Sequence, residues 1–347
     1  MKAAVYDGNG KISWTEVKDA TLEENTDALV KIIKTTICGS DLHILKGDMP
    51  YVPSGRVLGH EGIGIVEEIG DAVTQFKKGD KVVISAISYC GKCHHCKKGL
   101  YCHCESKDGG WVLGNSVNGT QAEYTRIPHA DNSLIKVPEN VDEESALMLS
   151  DILPTGFEVG VLAGEVKPGQ KIAIIGAGPV GLSVLITSQF YSPAKIIMID
   201  MDKSRLEMAK QLGATHTINP QSDDYASICK ELTDGYGVDV AIECVGIPDT
   251  FEMCQEIIAK GGRIANVGVH GKKVDLHMDK LWGSNIQITT GFVCTHSTPM
   301  LMESISSGKI DPKKLISHHF KLDEIEKAYQ VFGNAAKEKA IKIILSK

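Results

Sequence analysis

The sequence has no apolar run near the ~20 residues that a helix needs to cross a bilayer, and its mean hydropathy is only −0.06. It also lacks a basic surplus. Its 37 Lys and Arg stand against 44 Asp and Glu, a net charge of −7, with a pI near 6.0. Proteins that bind nucleic acid neutralise phosphates with Lys and Arg, so this balance argues for no nucleic-acid partner, as the missing span argues for no membrane. The opening Met1-Lys2-Ala3-Ala4-Val5-Tyr6-Asp7 reaches an acid by position seven without a long apolar core. No signal peptide is expected, and the expected location is cytoplasmic. No internal repeat or low-complexity tract is visible.

What is present suits two domains. The 347 residues are 42% hydrophobic, enough for two interiors of ordinary size. The first 150 or so residues read as short strands broken by Gly and Pro, with strands at Val30–Ile33, Ile63–Ile69 and Lys81–Ser85 and a turn at Lys78-Gly79-Asp80. From about residue 165 the texture alternates. Lys171–Ile175, Lys195–Asp200, Val238–Glu243 and Arg263–Val267 are near-continuous apolar strands, separated by helical patterns at Val180–Phe190, Ser204–Leu212 and Thr250–Ala259. Such strands belong to a parallel sheet covered on both faces, hence a doubly wound α/β domain behind a mainly β one.

Gly176-Ala177-Gly178-Pro179-Val180-Gly181 has G-x-G-x-x-G spacing between a strand and a helix, and the next strand ends in Asp200. That context is the dinucleotide fingerprint: glycines admit a pyrophosphate to the helix N-terminus, and the acid accepts from the adenine ribose hydroxyls. A carboxylate there repels a 2′-phosphate and favours NAD. Arg205 tempers this, since a nearby Arg can accept one. The alternative is a glycine-rich turn without a nucleotide.

Of the ten cysteines, Cys90, Cys93, Cys96, Cys102 and Cys104 fall within one short stretch, while Cys229, Cys244, Cys254 and Cys294 are scattered. A local cluster in a chain of this kind reads as a metal site rather than a disulfide framework. Cys90, Cys93, Cys96 and Cys104 form a four-thiolate set suited to a closed structural zinc, with Lys92, Lys97 and Lys98 offsetting its charge. Cys102 is a rival fourth ligand, and His94, His95 and His103 stand nearby. Free or redox cysteines, and a nucleic-acid-binding zinc ribbon, are the other readings.

Three further segments carry donors: Cys38-Gly39-Ser40-Asp41-Leu42-His43, Gly59-His60-Glu61-Gly62, and Ser150-Asp151-Ile152-Leu153-Pro154-Thr155-Gly156. Together they hold a Cys/His/Asp set, and a catalytic zinc takes three protein ligands with one position open. With the four-cysteine stretch, the glycine motif and Asp200 in this order, the chain resembles the zinc-containing medium-chain dehydrogenase/reductases, the alcohol dehydrogenase family, over essentially its whole length.

The resemblance implies a GroES-like, mainly β catalytic domain over 1–153 and 291–347, with a structural zinc lobe at about 88–106. It implies a Rossmann NAD-binding domain over 154–290. Cys38, His60 and Asp151 become ligands of a catalytic zinc, Glu61 an alternating ligand or a neighbour of the set, and the chain holds two zinc ions and NAD. Asp151 stands where liver-type enzymes have Cys, as in the secondary-alcohol and formaldehyde-dehydrogenase-like branches; the four thiols and Asp200 depart from the secondary-alcohol pattern.

The resemblance further implies that protons leave through Ser40, the nicotinamide ribose and His43. Thr155 orients the nicotinamide, and Val245, Val267, Gly268, Val269 and Phe292 wall it. Lys342 contacts a cofactor phosphate or, read by itself, is an exposed strand lysine. Trp111 is a pocket aromatic or simple packing. The expected function is reversible oxidation of a small, secondary alcohol by a homotetramer or homodimer. Polyol, diol, threonine or formaldehyde dehydrogenases are rivals within the family, and a zinc- and NAD-binding sensor without turnover is a rival from another class.

Overall fold

A computed structural model describes residues 1–347. Contacts divide the chain after Asp151 and again before Cys294, against expected boundaries after residues 153 and 290. One unit comprises Met1–Asp151 with Cys294–Lys347, the other Ile152–Val293.

The first unit is mainly β. An antiparallel hairpin, Lys2–Tyr6 with Ile12–Glu16, accompanies a seven-stranded sheet. Its order runs Ile316–Lys321, Lys342–Ser346, Ala28–Thr36, Gly62–Ile69, Lys81–Ile84 and Leu134–Lys136, and Tyr124–Ile127 also pairs with Ala28–Thr36. The first two of these strands are parallel and the other pairings antiparallel. Ala28, Val30 and Ile32 alternate into one core with Val66, Val82, Ile84, Leu113 and Ile127, the period-2 pattern of a sheet with one buried face. Lys342–Ser346 is flanked on both sides, so Ile343, Ile344 and Leu345 are all fully buried.

The second unit is a six-stranded parallel sheet. Its order is His216–Ile218, Lys195–Ile199, Lys171–Ile175, Val238–Glu243, Ile258–Asn266 and Gln287–Thr290. In chain order this is 3-2-1-4-5-6, the Rossmann arrangement, whose ligand crevice lies at the switch between the first and fourth strands. The α/β architecture expected above is what the chain adopts.

Two local expectations need correction. The helix opened by Pro179 ends at Ser188, and Gln189–Tyr191 tightens into a 3₁₀ turn. The helix expected over Thr250–Ala259 spans Pro248–Ile257. Ile258 is already extended (φ −69°, ψ 137°), because it opens the next strand, Ile258–Asn266. Adjacent β-branched residues favour that switch. No helix is long and apolar enough to cross a membrane.

Candidate metal centres and cofactor site

Cys38 follows the strand Ala28–Thr36 and caps the helix Gly39–Leu45, where its backbone N–H donates to Asp41 Oδ2 at 2.9 Å. His60 and Glu61 immediately precede the strand Gly62–Ile69. Ser150 brings Asp151 to them: its hydroxyl donates to the Gly62 carbonyl and accepts from the Gly62 N–H, both at 3.2 Å. Cys38 Sγ then lies 3.7 Å and His60 Nε2 3.3 Å from Asp151 Oδ2. The ligand atoms of Cys38, His60, Glu61 and Asp151 all fall within 4.8 Å of one another.

This cluster calls for positive charge. Burial alone would push the His60 imidazole down, yet its hydrogen bond with Asp151, reinforced by Cys38 and Asp41, holds it well above the ordinary value. Burial raises Glu61 and Asp41 above the usual carboxylate range. His60 Nδ1 and Asp41 Oδ1 face each other at 4.0 Å, and neither makes a hydrogen bond. A thiol, an imidazole and a carboxylate sharing one half-buried spot fit a divalent ion of borderline softness.

Lys342 corrects an expectation. Its amine is not exposed, and the space around it is taken by Glu61 rather than left open for a phosphate. It is 1% exposed and donates to Glu61 Oε1 at 2.6 Å and to the Ile37 carbonyl at 3.4 Å. Its strand lies inside the sheet rather than at an edge and the side chain is fully covered, so the ammonium is tolerated only with a partner. Removing one member of such a pair costs about 3–5 kcal/mol.

On the helix Gly39–Leu45, Ser40 and His43 sit three residues apart on one face. His43 Nδ1 lies 2.7 Å from Asp48 Oδ2, and the imidazole stays about one-third exposed. Trp111 meets His60 edge-on, with ring centroids 5.6 Å apart.

The lobe brings Cys90, Cys93, Cys96 and Cys104 together within 4.8 Å. Cys93 and Cys104 sulfurs are 4.0 Å apart; tetrahedral zinc with bonds of about 2.3 Å needs roughly 3.8 Å between sulfurs. Backbone N–H groups of Glu105 and Cys96 hold the Cys93 thiol down to about 6, while burial pushes Cys96 up to about 12. Four thiolates cannot coexist here without a cation, and the donor set fits zinc. Cys102 points elsewhere, its sulfur 3.4 Å from that of Cys294. His94 and His103 are exposed, and His95 faces Glu105 at 3.2 Å.

In the second unit the glycine turn has two kinds of glycine. A Cβ on Gly181 would sit 1.8 Å from the Gly176 carbonyl oxygen, so packing demands glycine there. On Gly178 it would meet only Arg205 Nη1, at 3.9 Å. The protein leaves that space open in front of the helix Pro179–Ser188, whose N-terminus has no side-chain cap. Free N–H groups facing an open cradle suit a pyrophosphate. Asp200 follows directly on the second strand and braces the turn: its oxygens accept from Ala177 N at 2.6 Å and Asp202 N at 2.7 Å.

Val245, Val269 and Phe292 are apolar yet about half exposed, as receiving surfaces for a ring would be. Gly246 and Gly268 abut so closely that a Cβ on either would strike the other loop's backbone. Val267 and Thr155 are half-buried.

Sequence reasoning missed two organising acids. Asp41 lies inside the quoted motif but faces His60 rather than solvent. Glu243 is fully buried and accepts from Val245 N, Gly246 N and Thr250 Oγ1 at 2.6–2.8 Å. Its signal was an acid closing an apolar strand just before Cys244-Val245-Gly246.

Comparison with known proteins shows the family. Residues 24–139 match the alcohol dehydrogenase GroES-like domain and residues 167–307 the zinc-binding dehydrogenase model. An alcohol dehydrogenase of Cupriavidus necator is 34% identical, covering 96% of this chain and 95% of the relative. The NADP-dependent isopropanol dehydrogenase of Thermoanaerobacter brockii is 31% identical, with 97% of each chain covered. Among solved structures, the apo form of zinc-dependent alcohol dehydrogenase 2 from Streptococcus pneumoniae superposes with a TM-score of 0.96 at 55% identity, covering 100% of this chain and 98% of that one.

Proposed function

Because the chain belongs to the zinc-containing medium-chain dehydrogenase/reductase family of alcohol dehydrogenases, we propose that it reversibly oxidises a small secondary alcohol to its ketone with NAD. The observation that carries this is the partly buried Cys38–His60–Asp151 cluster, a mixed donor set with the three-ligand composition of an open zinc site. Zinc there supplies a Lewis acid that makes a hydroxyl acidic near neutral pH.

The chain's own groups do the rest. Cys38, His60 and Asp151 hold the ion, while Lys342 engages Glu61 beside it. Trp111, against the edge of His60, limits the space for the substrate's carbon substituents. Ser40 would receive the hydroxyl proton while handing its own on through the nicotinamide ribose to His43, which passes a proton to solvent with Asp48 orienting the imidazole. Asp200 accepts from the ribose hydroxyls, and the uncapped helix after Gly178 takes the pyrophosphate. Cys90, Cys93, Cys96 and Cys104 hold a second, structural zinc. The assembly is a homotetramer or homodimer in the cytoplasm.

The test is initial reduction of NAD⁺ and NADP⁺ by zinc-replete protein with propan-2-ol, butane-2,3-diol, ethanol and formaldehyde. We expect preference for propan-2-ol and NAD⁺. Preference for the diol or formaldehyde transfers the site to another branch, and preference for NADP⁺ assigns the phosphate to Arg205. No turnover in either direction overturns the enzyme reading in favour of a sensor.

A further inference from the structure

Cys104, the last sulfur of the lobe, has a hydroxyl beside it as well as a backbone donor. It accepts from the Cys90 N–H at 3.3 Å and lies 3.0 Å from Ser106 Oγ. Ser106 Oγ in turn lies 2.9 Å from His129 Nε2, and that same nitrogen is 3.1 Å from the Lys107 carbonyl oxygen. A carbonyl can only accept, so Nε2 carries the proton and donates. Ser106 Oγ therefore accepts from His129, and its single proton is free to point at the Cys104 sulfur 3.0 Å away, with the Cys90 thiol as its other partner. The chain has one direction, from His129 through Ser106 to Cys104.

The arrangement is built from separate parts of the sequence. His129 lies 23 residues beyond Ser106, between the strand Tyr124–Ile127 and the turn Ala130–Ser133, in a left-handed conformation with φ 49°. That backbone is uncommon for a non-glycine residue. Gly109 closes the other side: a Cβ there would be 2.6 Å from Cys104 Sγ and 2.8 Å from Ser106 Oγ. A cavity of about 420 Å³ opens against Cys90, Ser106 and His129, so water or a small chelator reaches the site at this wall.

We propose that His129 and Ser106 brace the fourth thiolate of the lobe, as positioning residues that set how tightly it keeps its zinc. A donated hydrogen bond lowers the cost of concentrating four negative sulfurs around one ion. It also fixes the sulfur against exchange, as partners beyond the ligands do in zinc sites generally. The inference rests on the four cysteines being a zinc site.

The experiment uses the full chain carrying His60→Ala, which leaves only the lobe's zinc. Metal is counted by atomic emission, and its release to the chromophoric chelator 4-(2-pyridylazo)resorcinol is timed well below the unfolding temperature. One zinc per chain is expected. Adding Ser106→Ala or His129→Phe should speed release about 10–100-fold, Ser106→Thr should restore the slow rate, and the double variant should release no faster than the faster single one. Loss of packing alone would lower the unfolding temperature without obeying that rescue and non-additivity. Release at the parent rate in both single variants overturns the brace. A parent without zinc, or a Cys93→Ser chain that keeps it, overturns the zinc reading itself.

Discussion

The first unit carries two donor clusters assembled in opposite ways. The lobe's sulfurs lie at most 14 residues apart, on one short loop, with a single donor type. The Cys38–His60–Asp151 cluster spans 113 residues, mixes donor types, and is ringed by Asp41, Glu61 and Lys342. A closed site needs only ligands and a loop short enough to wrap an ion. An open site must keep a coordination position available while holding surplus charges nearby, and each buried surplus charge needs its own partner. On the proposed function, the difference separates a site that stabilises from one that reacts.

The largest effect should come from exchanging one ligand in each cluster. Cys38→Ser should abolish turnover and lower the zinc count by one, with an unfolding midpoint near that of the parent. Cys96→Ser should also lose one zinc but depress the midpoint strongly. Zinc analysis, calorimetry and NADH formation measure all three quantities, and retained turnover in a metal-verified Cys38→Ser protein would erase the distinction between the clusters.

A middling effect is expected at the surplus charges. Lys342→Met should cost about 3–5 kcal/mol in urea unfolding, because Glu61 is left buried without its counterion. Lys342→Met combined with Glu61→Leu should recover most of that loss. Additive losses in the double variant would show that the pair is not a unit.

The smallest is His43→Ala, which should slow turnover at neutral pH and recover partly as pH rises, since solvent base then takes the proton that the imidazole otherwise relays. An unchanged pH–rate profile would remove His43 from the path.

Contiguity governed what could be read before the structure. The glycine turn with Asp200, and the four cysteines, are short-range patterns with a direct physical meaning, and the alternation of strand and helix after residue 165 announced the parallel sheet. The strand His216–Ile218 is too short to show a period. Ile258 hid inside an apparent helical run because periodicity cannot see an abrupt switch to extended backbone. Lys342 was the instructive failure. Burial of a charge depends on a partner 281 residues away, and nothing local in Ile341-Lys342-Ile343-Ile344 names Glu61. Asp41 and Glu243 escaped for the same reason: an acid near a motif looks like any other until its acceptor geometry is seen.

The Glu61–Lys342 pair also sets a timetable. A ribosome adding ~5–20 residues per second reaches Lys342 roughly 14–56 s after Glu61. In that interval the strand Ala28–Thr36 lacks the neighbour that later flanks it, and Glu61 has no counterion. The second unit is continuous in the chain and can finish folding while the first still waits. Nascent chains caught before the final strand should therefore hold a formed nucleotide-type domain beside an unfinished sheet, and chaperones that recognise exposed strand edges would find their target there.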